Sequence, residues 1–351
     1  VLRYLRVAVP RIWAGHGPVA LLLYPLTLIH RLYRGLRAIG WRLGLTAPQT
    51  LTVPVVVVGN LNVGGSGKTP LVIHLVHALR EAGYHPGVIA RGYGGSSKTG
   101  QLVGADSDPL ICGDEPLLIH FLTRAPVAVG ADRVAVARHL LQHHPECDLI
   151  LADDGLQHRR LHRDLEIALL NEAGLGNRWL LPAGPLRDPL SRLKQVDAVV
   201  LNGVVDPIRI HSPFFRMQTH MQGLTRLAPS ADHSTLAELA QRQSSGPLRI
   251  LAVCAIGNPD RFFQGLRDHG LTIDTKALPD HDPIQPTDLR SAGPGDLILI
   301  TEKDAVKCAR DDQLSVDPRI WVVSLGCQVD PGLLTFITDR LKGISDGSQT
   351  P

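Results

Sequence analysis

Apolar residues follow two rhythms along this chain. Unbroken aliphatic runs recur as VPVVVVG (53–59), HPGVIARG (85–92), APVAVG (125–130), CDLILADD (147–154), LEIALLN (165–171) and VDAVVLNG (196–203). Runs of this length without polar alternation read as strands covered on both faces, the habit of a parallel sheet. Between several of them the spacing becomes helical, most clearly in PLVIHLVHALREAG (70–83), which closes on Gly83. This alternation predicts an α/β sheet with crossover helices. Around 204–248 both rhythms fade into Pro-, Ser- and Gln-containing sequence. A second alternation then begins at LRILAVCAIGNPDRFFQGLRDHGLTI and continues through GDLILITEKDAVKCA and RIWVVSLG. We place a boundary in that stretch, dividing a core over 46–225 from a smaller C-terminal α/β domain over 226–351 that closes over the cleft. The final SDGSQTP reads as disordered.

The first 45 residues follow neither rhythm. The apolar run PVALLLYPLTLI (18–29) holds about a dozen residues and two prolines, Pro18 and Pro25, whereas a spanning helix needs about 20 apolar residues. Arg3, Arg6 and Arg11 precede it, Arg31, Arg34, Arg37 and Arg42 follow it, and no acidic residue appears before Glu81. Leucines interleaved with arginines, with Trp13, Tyr24, Tyr33 and Trp41 among them, suit an arm that lies on an anionic membrane surface. An ordinary helix packed on the core is the alternative. The interleaving weighs against a nucleic-acid arm, and the basic continuation weighs against a cleaved signal. A net charge of +3 over 351 residues adds little. Five scattered cysteines (112, 147, 254, 308, 327) without a C-x-x-C pair argue for reduced thiols in a cytoplasmic compartment and against a structural zinc site.

Chemistry enters with GNLNVGGSGKTP (59–70), between the first strand and the clearest helix. A phosphate-binding loop needs backbone N–H groups curled round phosphate oxygens, a lysine for the outer phosphates, and a hydroxyl for magnesium at a helix start. Val63, Gly64, Gly65, Ser66, Gly67, Lys68, Thr69 and Pro70 provide this, with Pro70 in the first helical turn. Asn62 stands where the usual pattern has its first glycine, and asparagine tolerates left-handed geometry best among the other residues. Asp153 and Asp154 end a strand at the carboxyl edge, a position from which magnesium or its water is held. GDEP (113–116) reads either as helix capping by Asp114 and Glu115 or as the source of a carboxylate for an acceptor hydroxyl. Arg187 in LPAGPLRDP (181–189) is a candidate clamp on a transferring phosphate, and ALPDHDP (277–283) offers Asp280 and His281 from the second domain. His158 and His162 are four apart but lack a third nearby metal ligand. A guanine-nucleotide switch would need N-K-x-D. In TEKD (301–304) the lysine and aspartate are adjacent.

The motifs GNLNVGGSGKTP, RGYGG, GDEP, DDGLQH, LPAGPLRDPLSRLKQVDAVVLNG, AIGNPDRFF and TEKDAVKC, in this order over nearly the whole chain, resemble those of the tetraacyldisaccharide 4′-kinases of lipid A assembly. The resemblance implies a P-loop NTPase-type parallel sheet with flanking helices. It further implies ATP and Mg2+, and transfer of the γ-phosphate to the 4′-hydroxyl of an acylated disaccharide 1-phosphate lipid, giving lipid IVA at the cytoplasmic face of the inner membrane. By motif, Lys68 and Thr69 match the phosphate lysine and magnesium hydroxyl, and Asp153 and Asp154 the paired acids. Asp114 matches the base and His281 its dyad partner, while Glu115, Gln157, His158 and Arg187 are active-site neighbours. Asp188 stands where related sequences commonly carry glutamate. The expected state is a monomer without a nucleic-acid partner.

Overall fold

The computed structural model describes residues 9, 11–44, 47–92, 100–171, 175–203, 211–228 and 232–347. Of the residues singled out above, Arg3, Arg6, positions 93–95 of RGYGG, the side chains of Trp41 and Arg42, and most of SDGSQTP lie outside that description.

Helix α1 (Pro18–Arg42) leads into β1 (Val55–Asn60), α2 (Lys68–Glu81), β2 (Pro86–Ala90), β3 (Gln101–Val103), α3 (Pro109–Cys112), α4 (Asp114–Thr123), β4 (Val127–Val129), α5 (Arg133–His143), β5 (Leu149–Asp153), β6 (Leu165–Asn171) and β7 (Ala198–Asn202). The chain continues through β8 (Phe214–Arg226), β9 (His233–Ser234), α6 (Leu236–Ser245), β10 (Ile250–Cys254), α7 (Pro259–Asp268), β11 (Asp274–Ala277), β12 (Leu297–Thr301), α8 (Glu302–Cys308), β13 (Ile320–Val329) and α9 (Gly332–Gly347). Each of the six strands expected in the first half forms: β6 keeps its expected bounds, β1 starts two residues later and ends one later, and the others are trimmed by one or two residues at each end.

Among the described residues the thirteen strands join one sheet, in the order β11-β10-β12-β13-β8-β7-β6-β1-β5-β2-β4-β3, with β9 beside β8. β1 lies between β5 and β6, parallel to both, with Val56 opposite Leu151 on one side and Leu165 on the other. The chain runs from β1 out to β2 and β4, returns to β5, and then crosses to β6. The carboxyl end of β1 is therefore a topological switch point, where open α/β sheets place ligands. β1 is buried along its whole length because helices cover both faces. On one face α2 contributes Leu71, Leu75 and Leu79, and on the other α5 contributes Val134, Ala137 and Leu140. Each of these leucines and the valine contributes about 1.5–3 kcal/mol. The second half has its own two-faced core around β10 and β12. α9 turns back, and Leu333, Ile337 and Leu341 fill the core of the first half.

The stretch read as a fading pattern contains the longest strand. β8 runs parallel to β7 from Phe214 to Met217, then antiparallel to β13, pairing Met217 with Val329 and Arg226 with Trp321. Most of its side chains are exposed or half-buried. Backbone pairing, which leaves no apolar signature, holds the two halves in one sheet.

α1 presents Leu21, Leu22, Ile29, Leu32, Leu36 and Ile39 to solvent. Its inner side rests on the segment before Arg187. Thr27 Oγ1 donates to Leu180 O at 3.1 Å, Tyr24 packs on Trp179 with ring centroids 4.6 Å apart, and Trp13, just ahead of the helix, donates to Pro182 O at 2.9 Å. Among the described residues no helix is long and apolar enough to cross a membrane.

Candidate active site

The loop between β1 and α2 curls through two left-handed glycines, Gly64 at φ +112° and Gly67 at φ +95°. Gly67 caps α2, and a Cβ there would stand 2.5 Å from Asn202 Nδ2, which itself donates to Ser66 O at 2.9 Å. Any other residue at Gly67 would be strained by the conformation and would have to displace the Asn202 amide. Asn62 departs from expectation. It does not adopt positive φ but forms an isolated bridge to Leu186, so the loop needs a buried extended residue at that point rather than a glycine substitute. Lys68 and Thr69 open α2, and Pro70 follows in its first turn.

The bridge at Asn62 belongs to a longer seam. Val63 N donates to Pro185 O at 2.9 Å and Arg187 N to Leu61 O at 2.6 Å, which lays LPAGPLRDP alongside the phosphate loop. The Arg187 guanidinium then takes Asp154 in a two-pronged grip, Nη1 to Oδ2 at 2.9 Å and Nη2 to Oδ1 at 2.7 Å, and also donates to Asn60 Oδ1. Lys68 Nζ donates to Asn60 Oδ1 at 3.1 Å and lies 3.7 Å from Asp154 Oδ1. Gln157 Nε2 donates to Asp188 Oδ2 at 2.7 Å.

The two neighbouring carboxylates titrate in opposite directions. Burial pushes Asp153 up to about 7, against the pull of Lys68 and with a further push from Glu115. Its Oδ1 is buried without a hydrogen-bond partner. Burial also opposes ionisation of Asp154, but hydrogen bonds from Arg187 and the charge of Lys68 outweigh it and hold this carboxyl at about 2. A hard cation fits here: an orphaned carboxylate oxygen at a strand end, with a threonine as the second residue of the helix that follows the phosphate loop, is a donor set magnesium takes beside phosphates. Burial, with Arg133 and Arg91 nearby, lowers His158 to about 4, so it is neutral at pH 7.

Asp114 is the first residue of α4, after Gly113 at φ +89°, and is buried. Gly113 is the N-cap, so Asp114 is not itself the cap, but its Oδ1 accepts from the first-turn N–H of Glu115 at 3.0 Å and both acids lie in the first turn as expected. His281 Nδ1–H donates to Asp114 Oδ2 at 3.0 Å, with Oδ1 at 3.2 Å. Lys303 and Lys307 of α8 face the same carboxylate, at 3.8 and 3.6 Å. Lys303 also pairs with Glu115 at 3.1 Å and Asp280 at 3.9 Å. Burial opposes ionisation of Asp114, yet the His281 hydrogen bond and the lysines pull its pKa below the ordinary carboxylate value; the bond to Asp114 raises His281. In TEKD, Asp304 is fully buried, accepting from Thr301 Oγ1 at 2.7 Å and from Ala255 N, and so is out of reach of a guanine.

The structure thus gathers Lys68, Asp154, Arg187 and Gln157 round one strand end, and Asp114, Glu115 and His281 at a second point whose charge Asp153 feels. His162 pairs instead with Asp164 at 3.6 Å, and among the described residues no three His, Cys, Asp or Glu are grouped for a metal. Sequence reasoning gave no role to Asn60, Arg133, Lys303 or Lys307. Asn60 directly precedes the loop, a position that could have flagged it. Arg133 is a buried arginine whose Nε and Nη2 lack partners, and its charge acts on Asp153, Asp154 and His158. Only its place at the start of α5, after a strand, hinted at it.

A model of the tetraacyldisaccharide-1-P 4′-kinase family matches residues 19–342. The chain is 46% identical over 344 residues to the tetraacyldisaccharide 4′-kinase of Herminiimonas arsenicoxydans, and 49% over 335 residues to that of Azoarcus sp. (strain BH72), covering 95% of both chains in each pair. LpxK from Aquifex aeolicus, solved in complex with ATP, superposes with a TM-score of 0.76 at 26% identity, covering 92% of this chain and 99% of that one. With a P-loop at the switch point of the sheet and this likeness along its length, the chain belongs to the tetraacyldisaccharide-1-P 4′-kinase family.

Proposed function

We propose that this chain transfers the γ-phosphate of ATP to the 4′-hydroxyl of a tetraacyldisaccharide 1-phosphate. The observation that carries the mechanism is the Asp114–His281 pair, a charged carboxylate next to Glu115, whose own charge reaches Asp153 at the end of β5. The N–H groups from Gly64 to Thr69 cradle the phosphates, Lys68 moves from Asn60 and Asp154 to the outer oxygens, and Arg187 neutralises charge on the transferring group. Thr69, Asp153 and Asp154 are the residues that would hold Mg2+, which would neutralise phosphate charge when bound. The 4′-oxygen attacks the γ-phosphorus, the bond to the β-phosphate oxygen breaks, ADP leaves, and the hydroxyl proton passes to Asp114. His281 orients that carboxylate and shares its proton. Glu115, Gln157 and His158 shape the surroundings.

The exposed apolar face of α1, flanked by arginines, supports a peripheral seat on the cytoplasmic face of an anionic inner membrane. The halves 46–225 and 226–351 act as the two walls of the cleft in a monomer. Incubation with ATP and the lipid disaccharide, followed by mass analysis, tests the reading: a product one phosphoryl group heavier at the 4′ position supports it, and ATP turnover without such a product rejects it.

A further inference from the structure

One arginine of the basic arm turns inward. Arg34 of α1 donates through Nη1 to the carbonyl of Arg187 and through Nη2 to Asp188 Oδ1. A single planar guanidinium thereby holds the backbone and the side chain of two consecutive residues, the second of which is only 4% exposed. The other Asp188 oxygen accepts from Gln157 Nε2, and that same amide donates to Asn60 O at 3.2 Å. Asn60 in turn accepts from Lys68 and from Arg187. An unbroken series of hydrogen bonds therefore runs from the arm helix to the lysine of the phosphate loop, and both oxygens of Asp188 are used within it.

We infer that Arg34 is a positioning residue for phosphoryl transfer, fixing the Arg187–Asp188 turn so that Arg187 meets the transferring phosphate. The inference rests on the reading of Arg187 as the phosphate clamp. Asp188 acts here as a link between arm and loop. A guanidinium is needed because its donors diverge in one plane toward a carbonyl and a carboxylate, and an ammonium has one centre to offer both. α1 is then a wall of the catalytic site as well as a surface for lipid.

The test uses the full chain with ATP and the lipid disaccharide in vesicles of phosphatidylethanolamine and phosphatidylglycerol, comparing Arg34→Gln, Arg34→Lys, Asp188→Asn, Arg187→Ala and the double variant Arg34→Gln/Asp188→Asn. Arg34→Gln should lower kcat by about tenfold to a hundredfold, as misplacement of a clamp by about an ångström does. Vesicle binding and the ATP KM should stay within about threefold, Arg34→Lys should recover only part of the loss, and the double variant should lose no more than Asp188→Asn alone. Should Arg34→Gln fail to fold, Arg34→Lys carries the test, with wild-type kcat overturning the inference. Wild-type kcat in Arg34→Gln beside an inactive Arg187→Ala overturns the role of Arg34 and leaves the clamp standing. Near-normal turnover in Arg187→Ala overturns the clamp itself. A loss in Arg34→Gln that disappears when substrate is dispersed in detergent overturns the inference in favour of a plain membrane contact.

Discussion

The residues around Lys68 come from neighbouring strand ends of one half of the sheet, whereas Asp114 meets His281 across 167 positions of sequence. The phosphate side is held within one half of the sheet: left-handed glycines, a seam of backbone hydrogen bonds, and a bidentate arginine. The base side is held by the relation between two halves, and that relation depends on the pairing of β8 with β13. A local defect should therefore abolish phosphate handling outright, while the base side should respond in graded fashion to anything that alters charge or spacing between the halves.

The largest effect is expected on the phosphate side. Lys68→Ala should lower phosphate transfer from labelled ATP on the order of a thousandfold at saturating nucleotide; a loss under about tenfold would mean the loop does not handle the transferred group. On the base side, Asp114→Ala and His281→Ala should each cost kcat about a hundredfold with a modest change in ATP KM. On the proposed reading, in which the two act as one unit, the double variant should be little worse than either single. Multiplicative losses would separate the pair and erase the contrast.

A smaller effect sharpens the contrast through pH. Lys307, with His281 and Lys303, holds Asp114 below its ordinary pKa, so removing its charge in Lys307→Met lets Asp114 take up a proton at higher pH. The acid limb of the kcat/KM profile should move upward, Lys307→Arg should restore it, and the loss at neutral pH should stay at about tenfold or less. An unmoved limb would disconnect α8 from the base. The smallest effect is on stability. Asp153 titrates at about 7 when folded but near 3.8 when unfolded, so its folded form retains a proton that the unfolded chain releases. That contribution to stability is complete below the unfolded value and is lost as pH rises to about 7. Asp153→Asn should therefore melt a few degrees higher than the wild type at pH 8 without nucleotide, and show no such gain at pH 4. Equal differences at both pH values would show that Asp153 carries no such strain.

The strands of the first half were legible because burial on both faces leaves unbroken aliphatic runs, as in Val55–Asn60. β8 was not, because a strand held mainly by its backbone shows no such run: RMQTHMQ reads as loop. Lys68, Thr69, Asp153 and Asp154 could be found as chemistry, since the loop spacing and the strand end are local patterns. The pairing of Asp114 with His281 came from family resemblance alone, as no spacing rule spans 167 residues. Arg34 was visible only as one more arm cation, because its inward turn is set by where the helix docks. At Asn62 the residue type pointed to left-handed backbone, but the strand-like bridge to Leu186 fixed the conformation instead.

The return of α9 to the first core bears on how the protein is made. Val56 of β1 and Leu71 of α2, which flank the phosphate loop, share their apolar cluster with Leu333, Ile337 and Leu341. During synthesis the N-terminal half emerges with one side of that cluster bare, and the loop's scaffold stays incomplete until residue 341 has cleared the ribosome. Nucleotide capture by the nascent chain should accordingly appear late and abruptly, and a stop codon ahead of α9 should leave an aggregation-prone product although every residue proposed to touch ATP is already present.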